Sequence, residues 1–283
     1  MQWKADISLA LVALVWGSTF TMTKYALDFL DPILLLFFRN LIAFVFLSLI
    51  FAKNLLHTDR KTLVSGLILG SFLFIGYATQ TIGLKYTTAS KAGFITGLAV
   101  VIVPLLSGLI LKKLPNPLTS VGVALAAIGL GLISLNFQEK FLLSYGDFLV
   151  LICAFAFAAH VVLVGKFAPD MSASLLTTFQ LGGMALACGL MGFATESLPE
   201  IIPWQVWLII IFLALFATAG AFLIQLWAQK NTSPTKTILI FSLEPVFSAL
   251  FAYYFLQEYL TTRGLIGCGL IFLATIVASW DEN

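Results

Sequence analysis

Lys85-Tyr-Thr-Thr-Ala-Ser-Lys91 and Lys230-Asn-Thr-Ser-Pro-Thr-Lys236 are two polar bends of the same length and outline, 145 positions apart in a chain of 283 residues. Gly122 and Gly267 continue that register, and Asp6, Trp16 and Arg39 stand 141 positions before Asp147, Phe157 and Gln180. The chain is therefore a duplication. The registers differ by 145 − 141 = 4 residues, about one helical turn, so the insertion that separates them keeps the same helix face pointing inward.

The sequence around the bends is 60% hydrophobic and 10% charged, with mean hydropathy +1.04. Soluble domains carry about a quarter charged residues, so these values mark a polytopic membrane protein. Apolar runs bounded by polar, Pro or Gly residues place spans at 6–27, 32–52, 62–84, 90–111, 118–136, 146–166, 172–194, 204–228, 236–256 and 261–280. The runs are continuous and long enough for helices, not the short alternating segments of a membrane β-barrel. The expected fold is an all-α polytopic membrane protein with ten transmembrane helices in two five-helix repeats, residues 1–136 and 146–283, joined by a linker at 137–145. Five crossings per half turn the second half upside down relative to the first, the inverted-repeat plan of secondary transporters.

Basic residues set the orientation, because cytoplasmic loops carry the excess of Lys and Arg. With the N-terminus inside, nine fall on the inner side (Lys4, Lys53, Arg60, Lys61, Lys112, Lys113, Lys166, Lys230 and Lys236) and five on the outer (Lys24, Lys85, Lys91, Lys140 and Arg263). Both termini are expected in the cytoplasm, in a multi-pass protein of the cell inner membrane or plasma membrane. The N-terminal apolar run lacks a cleavage site followed by a polar mature sequence, and reads as a retained first span.

Cys153, Cys188 and Cys268 lie in apolar runs at no metal-like spacing, so neither a disulfide framework nor a metal site is expected. No cofactor is implied. A net charge of +2 without a basic cluster gives no reason to expect nucleic acid as a partner. The expected partners are a small-molecule substrate and the lipid bilayer, with the chain acting as a monomer or homodimer.

In order and spacing, several short motifs resemble the drug/metabolite transporter superfamily in its EamA branch, with two EamA repeats per chain. They are Trp16-Gly17-Ser18-Thr19-Phe20, Pro32 followed by Phe38-Arg39-Asn40, the bend Tyr86-Thr-Thr-Ala-Ser90, and Phe94-Ile-Thr-Gly-Leu98 leading to Val103-Pro104. Leu243-Glu244-Pro245-Val246 and Gln257-Glu258 complete the set. The resemblance covers almost the whole chain. It departs at the end of the fourth span, where Lys112 and Lys113 stand in place of the glutamate that the ninth keeps as Glu258. The resemblance implies a basket-shaped carrier around a central cavity, moving small metabolites such as amino acids and related organic solutes.

Ionisable groups inside spans are costly and are site candidates by default. Glu244 lies near the midplane beside helix-bending Pro245, where it could bind a substrate ammonium or carry a proton. Arg39 sits inside the second span; it either attracts a substrate carboxylate or pairs with Asp28 or Asp31. His160, in the sixth span, is a candidate for proton coupling or a hydrogen-bonded helix contact. Trp16, Tyr77, Gln80 and Tyr253 supply aromatic and amide groups suited to a pocket for an amphipathic solute. Asp6 and Asp147 read as helix N-caps. The glycines of the fifth and tenth spans read as packing surfaces, within the chain or between protomers; those of the third, Gly66, Gly70, Gly76 and Gly83, read as flexible points for gating.

The expected function is secondary transport by alternating access, most simply export or exchange of amino acids or related amphipathic solutes. Import of a nucleotide-like or cofactor metabolite is the alternative. No Gly-rich Lys-Ser/Thr phosphate loop is present to couple ATP directly. No paired intramembrane aspartates, Ser/His pair or His-rich site argues for an enzyme.

Overall fold

The structure is a computed structural model that describes residues 2–83, 85–87, 89–135, 144–251, 253–254 and 261–280. The described residues are helices and short connections. In chain order the helices are α1 (Gln2–Leu27), α2 (Pro32–Ile50), α3 (Ala52–Leu55), α4 (Arg60–Gly83), α5 (Ala89–Gly97), α6 (Ala99–Ile110) and α7 (Pro117–Ser134) in the first half. The second half holds α8 (Tyr145–Phe167), α9 (Ala173–Thr195), α10 (Trp204–Ala214), α11 (Ala221–Ala228), α12 (Pro234–Phe241), α13 (Glu244–Phe251) and α14 (Thr262–Trp280). A six-residue π-helical turn, Leu215–Gly220, joins α10 to α11.

Among the described residues, seven stretches are long and apolar enough to cross a bilayer: Pro32–Ile50, Arg60–Gly83, Ala92–Ile110, Pro117–Ser134, Tyr145–Asp170, Ala173–Thr195 and Trp204–Ala228. The linker at 137–145 lies largely outside the described residues, as do Gln257 and Glu258.

Local chemistry sets the helix starts. Asn116 and Ser233 cap α7 and α12 through Thr119 N–H and Lys236 N–H, each helix having Pro in its first turn. Ser144 and Asp147 form a reciprocal capping box on α8. Asp59 Oδ1 accepts from Thr62 N–H at 3.2 Å, and hydrogen bonding to Thr62 holds its carboxyl below the usual carboxylate range. The N-terminus of α2 has a distant cap: both carboxylate oxygens of Glu196 accept backbone N–H bonds, from Ile33 at 3.1 Å and Leu34 at 2.8 Å. A carboxylate there meets the positive end of the helix dipole.

The fourth element of each half is interrupted. Between α5 and α6 the break falls at Leu98; between α12 and α13 it falls at Ser242 and Leu243. Leu98 and Leu243 correspond at the 145-residue offset. Each break precedes an in-helix proline, Pro104 or Pro245, whose ring takes away one backbone donor and crowds the carbonyl four residues upstream.

Close helix approaches fix relative direction. A Cβ built on Gly129 meets Gly267 O at 2.7 Å, one on Gly267 meets Gly129 O at 2.6 Å, and one on Gly122 meets Ala274 O at 3.2 Å. As position rises along α7 its partner falls along α14, so the two last helices are antiparallel. The 145 offset exchanges the contact Gly122/Ala274 with Gly267/Gly129, as a two-fold relation between the halves requires. Similarly, α2 opposes α9 (Phe44 at Gly182, Phe37 at Gly189) and α4 opposes α8 (Gly76 at Phe157, Gly83 at Val150). By contrast, α4 runs with α9, Gly66 meeting Phe179 and Gly70 meeting Gln180.

These contacts bear on two expectations. The packing role of the glycines in the fifth and tenth spans is met within the chain, where Gly122 and Gly129 face α14 and Gly267 faces α7. Gly66, Gly70, Gly76 and Gly83 are close-approach points where α4 meets α9 and α8; among the described residues no glycine has positive φ. Small side chains there let backbones come together, as membrane helix pairs require.

Candidate functional site

The π-helical turn organises the centre of the molecule. Ala221 N–H bonds to Phe216 O and Thr218 O instead of Ala217 O, the partner an α-helix would use. Ala217 O instead accepts from Trp16 Nε1 at 2.8 Å and from Arg39 Nη2 at 3.1 Å. Arg39 Nε donates to Thr218 Oγ1 at 2.5 Å, and that hydroxyl donates to Leu213 O at 2.9 Å. One distorted turn thus holds α1 and α2 together through the two side chains that the sequence singled out in them.

Arg39 is buried, with its guanidinium 5.6 Å from the Tyr77 ring centroid. It does not pair with Asp28 or Asp31, both exposed at the end of the bundle. Arg39 lies about 10 Å along α2 from Pro32 at ~1.5 Å per residue, out of reach of the surface, and the π turn supplies its partners instead. Among the described residues no carboxylate forms an ion pair with it; the one ion pair there is Lys236 with Asp6.

A narrow crevice beside the guanidinium is lined by Leu36, Arg39, Asn40, Tyr77, Met184, Thr218 and Phe222. It is too tight to hold a water molecule, so the centre is closed in this conformation. One cation, an amide, two hydroxyls and three apolar side chains make a lining of mixed character. Small-molecule sites combine mostly apolar walls with a few placed polar groups.

Of the residues expected at a site, Arg39 and Tyr77 meet in this crevice. Trp16 stands next to it, its ring 5.7 Å from Phe222 and 4.8 Å from Phe241. Glu244 lies within electrostatic reach of Tyr77 but does not line the crevice; its backbone packs on Gly17 of α1. Gln80 donates to Thr96 Oγ1 at 3.1 Å, tying α4 to α5. His160 Nε2 bonds Gln180 Oε1 at 2.9 Å in a buried α8–α9 contact. Tyr253 is exposed, stacked edge-on to Tyr254 with ring centroids 5.2 Å apart, and does not line the crevice. Among the described residues, no cluster of His, Cys, Asp or Glu could hold a metal.

Two functional contacts were not anticipated. Leu36, Asn40, Thr218, Met184 and Phe222 complete the crevice; only the small-residue run Ala217-Thr218-Ala219-Gly220 hints at the irregular backbone that places Thr218. Asp6 is not an N-cap: it lies inside α1 and its Oδ2 faces Lys236 Nζ of α12 at 3.1 Å, with relative side-chain exposures of 19% and 3%. The counterpart of Asp6, Asp147, accepts a bond from Thr87 Oγ1, and Ser144 Oγ donates to Tyr86 O at 3.2 Å. Each repeat's first long helix is therefore joined at its N-terminal end to the polar bend of the other repeat. Gly165, near the C-terminal end of α8, packs on Pro234 of the bend that Asp6 joins, while the N-terminal end of α8 joins the other bend, so these junctions sit at opposite ends of the bundle, with the closed crevice between them.

The arrangement matches known proteins over its full length. An "Uncharacterized transporter" of Archaeoglobus fulgidus is 36% identical over 97% of this chain and 85% of its own. The "Uncharacterized transporter YyaM" of Bacillus subtilis is 28% identical over 93% of this chain and 89% of its own. A crystal structure of another protein superposes with TM-score 0.82 at 19% identity, covering 99% of this chain and 98% of that one; at that identity it supports the fold alone. The EamA-like transporter family model matches twice, at residues 3–135 and 144–280. The chain belongs to the EamA-like transporter family and is a multi-pass membrane transporter.

Proposed function

We propose that this protein is a secondary transporter that moves a small organic solute by alternating access, exporting or exchanging amino acids or related amphipathic molecules. Ten helices would cross the membrane in two inverted five-helix repeats, residues 1–136 and 146–283, with both termini in the cytoplasm of a cell inner membrane or plasma membrane. The observation that carries this reading is the pair of cross-repeat junctions at opposite ends of a closed centre. Asp6 with Lys236 joins one end; Asp147 with Thr87, and Ser144 with Tyr86, join the other. Releasing either junction alone would open the crevice to one side, which is what alternating access demands.

The lining supports this choice of cargo. A single guanidinium among apolar and aromatic groups suits one carboxylate on an amphipathic body. A nucleotide-like cargo calls for several cations, and among the described residues the crevice supplies Arg39 alone. Glu244, near Tyr77 and next to a helix break, is the carboxylate we assign to energy coupling, and Trp16 and Gln80 to holding the walls. Purified protein in proteoliposomes preloaded with unlabelled solute tests the reading by counterflow. Saturable uptake of a labelled neutral amino acid supports it. Uptake of nucleotides with none of amino acids or amphipathic carboxylates overturns it.

A further inference from the structure

Asn40 has one polar atom satisfied and one left over. Its Nδ2 donates to Leu36 O of the same helix at 2.8 Å, which fixes the amide's orientation, and its Oδ1 is buried without a hydrogen-bond partner. The residue is 1% exposed and lines the crevice beside Arg39. An orphaned acceptor in an apolar interior costs about 1–3 kcal/mol, and of the orphaned polar side-chain atoms among the described residues only that of Asn40 belongs to a residue lining the crevice. Its neighbour presents the complementary deficit, a buried cation with no carboxylate in ion-pair contact among the described residues. What the pair lacks is a molecule carrying an anion and an N–H donor a few ångströms apart.

We propose that Asn40 is a specificity-determining residue that accepts a hydrogen bond from the substrate's ammonium while Arg39 takes its carboxylate, so that the crevice selects α-zwitterions over simple carboxylates. This rests on the amphipathic-solute reading above and narrows it. The two residues are adjacent on α2, so their polar groups move as one unit with that helix, and a bound zwitterion would satisfy both at once. Leu36, Met184 and Phe222 would face the apolar side chain. A site whose acceptor is left unpaired rejects an analogue lacking the donor by far more than a methylene's worth of contact.

Three labelled probes separate the possibilities in counterflow with full-length protein: L-phenylalanine, its deaminated analogue 3-phenylpropanoate, and phenethylamine, which lacks the carboxylate. The wild type should take up phenylalanine at least tenfold better than either analogue. Asn40→Leu should bring 3-phenylpropanoate to within about threefold of phenylalanine while phenethylamine stays excluded, and Asn40→Ser, with a shorter acceptor, should fall between. Equal uptake of phenylalanine and 3-phenylpropanoate by the wild type overturns the proposal without recourse to any variant. A preference that persists unchanged in a folded Asn40→Leu protein overturns the assignment to Asn40 alone. Failure of all three probes in the wild type removes the substrate class and this proposal with it.

Discussion

Breaking the Asp6–Lys236 pair should unlatch one end of the molecule, and the two partners should not be equivalent. The Lys236 side chain is 3% exposed and that of Asp6 is 19% exposed. Asp6→Asn takes away the carboxylate that the deeply buried ammonium faces; Lys236→Met leaves a carboxylate whose Oδ1 is buried but whose side chain is partly exposed. A fully buried pair broken on one side loses about 3–5 kcal/mol, and an exposed one about 0–1. Interpolating between those limits gives roughly 2–3 kcal/mol for Asp6→Asn and roughly 1–2 for Lys236→Met. At about 1.4 kcal/mol per tenfold, the open population should rise roughly 30- to 100-fold in the first and roughly 5- to 30-fold in the second. The double variant carries neither charge and should return towards the wild type.

The reporter is Val12→Cys, in a background where Cys153, Cys188 and Cys268 are replaced. Val12 is buried in the cluster that contains Leu239, Ile240 and Phe241, so a maleimide reaches it only when α1 and α12 part. Its modification rate in proteoliposomes follows the open fraction. Rates for Asp6→Asn within twofold of the parent, or a larger effect from Lys236→Met, would refute the reasoning.

Arg39→Lys should cost at least tenfold in transport, because an ammonium cannot reproduce the fork that bonds Thr218 and Ala217 together; counterflow at near-wild-type rates would speak against it. Glu244→Gln should abolish uphill movement against a solute gradient while leaving exchange in place, measured by comparing gradient-driven uptake with counterflow; unchanged uphill transport sinks the coupling role. Gly129→Val should lower the midpoint of thermal unfolding in detergent by several degrees, since its Cβ would lie 2.7 Å from the Gly267 carbonyl and overpacking costs about 1–3 kcal/mol. An unaltered midpoint would show that α7 and α14 do not meet there.

The duplicated framework is visible in the sequence because it rests on features with a period or a fixed offset. Apolar runs mark the helices, and Gly122 with Gly267 marks a contact that the offset maps onto its own symmetry mate. The breaks were only partly legible: Pro104 and Pro245 mark bent spans, but the breaks fall at Leu98 and at Ser242 and Leu243, not at the residues whose carbonyls the prolines crowd. Arg39 and Trp16 stand out as in-span groups, yet nothing local says that both bond one carbonyl, because that carbonyl is freed by a π turn in a distant helix. For Asp6 the start of a span suggested an N-cap, and its true partner, Lys236, is 230 positions away. Asn40 stands in the Phe38-Arg39-Asn40 motif but nothing there marks it as a site residue, for the same reason: an orphaned acceptor is a property of its surroundings, not of its residue type.

The central claim is that the two repeats must separate at the Asp6–Lys236 junction for solute to pass. Cysteines at positions 6 and 236, in the cysteine-replaced background, can be joined by a short bis-thiol reagent whose link is cleaved by reductant. Joined protein should lose counterflow and recover it on reduction, while single-cysteine controls are unaffected. Full counterflow through protein shown to be joined would contradict the account.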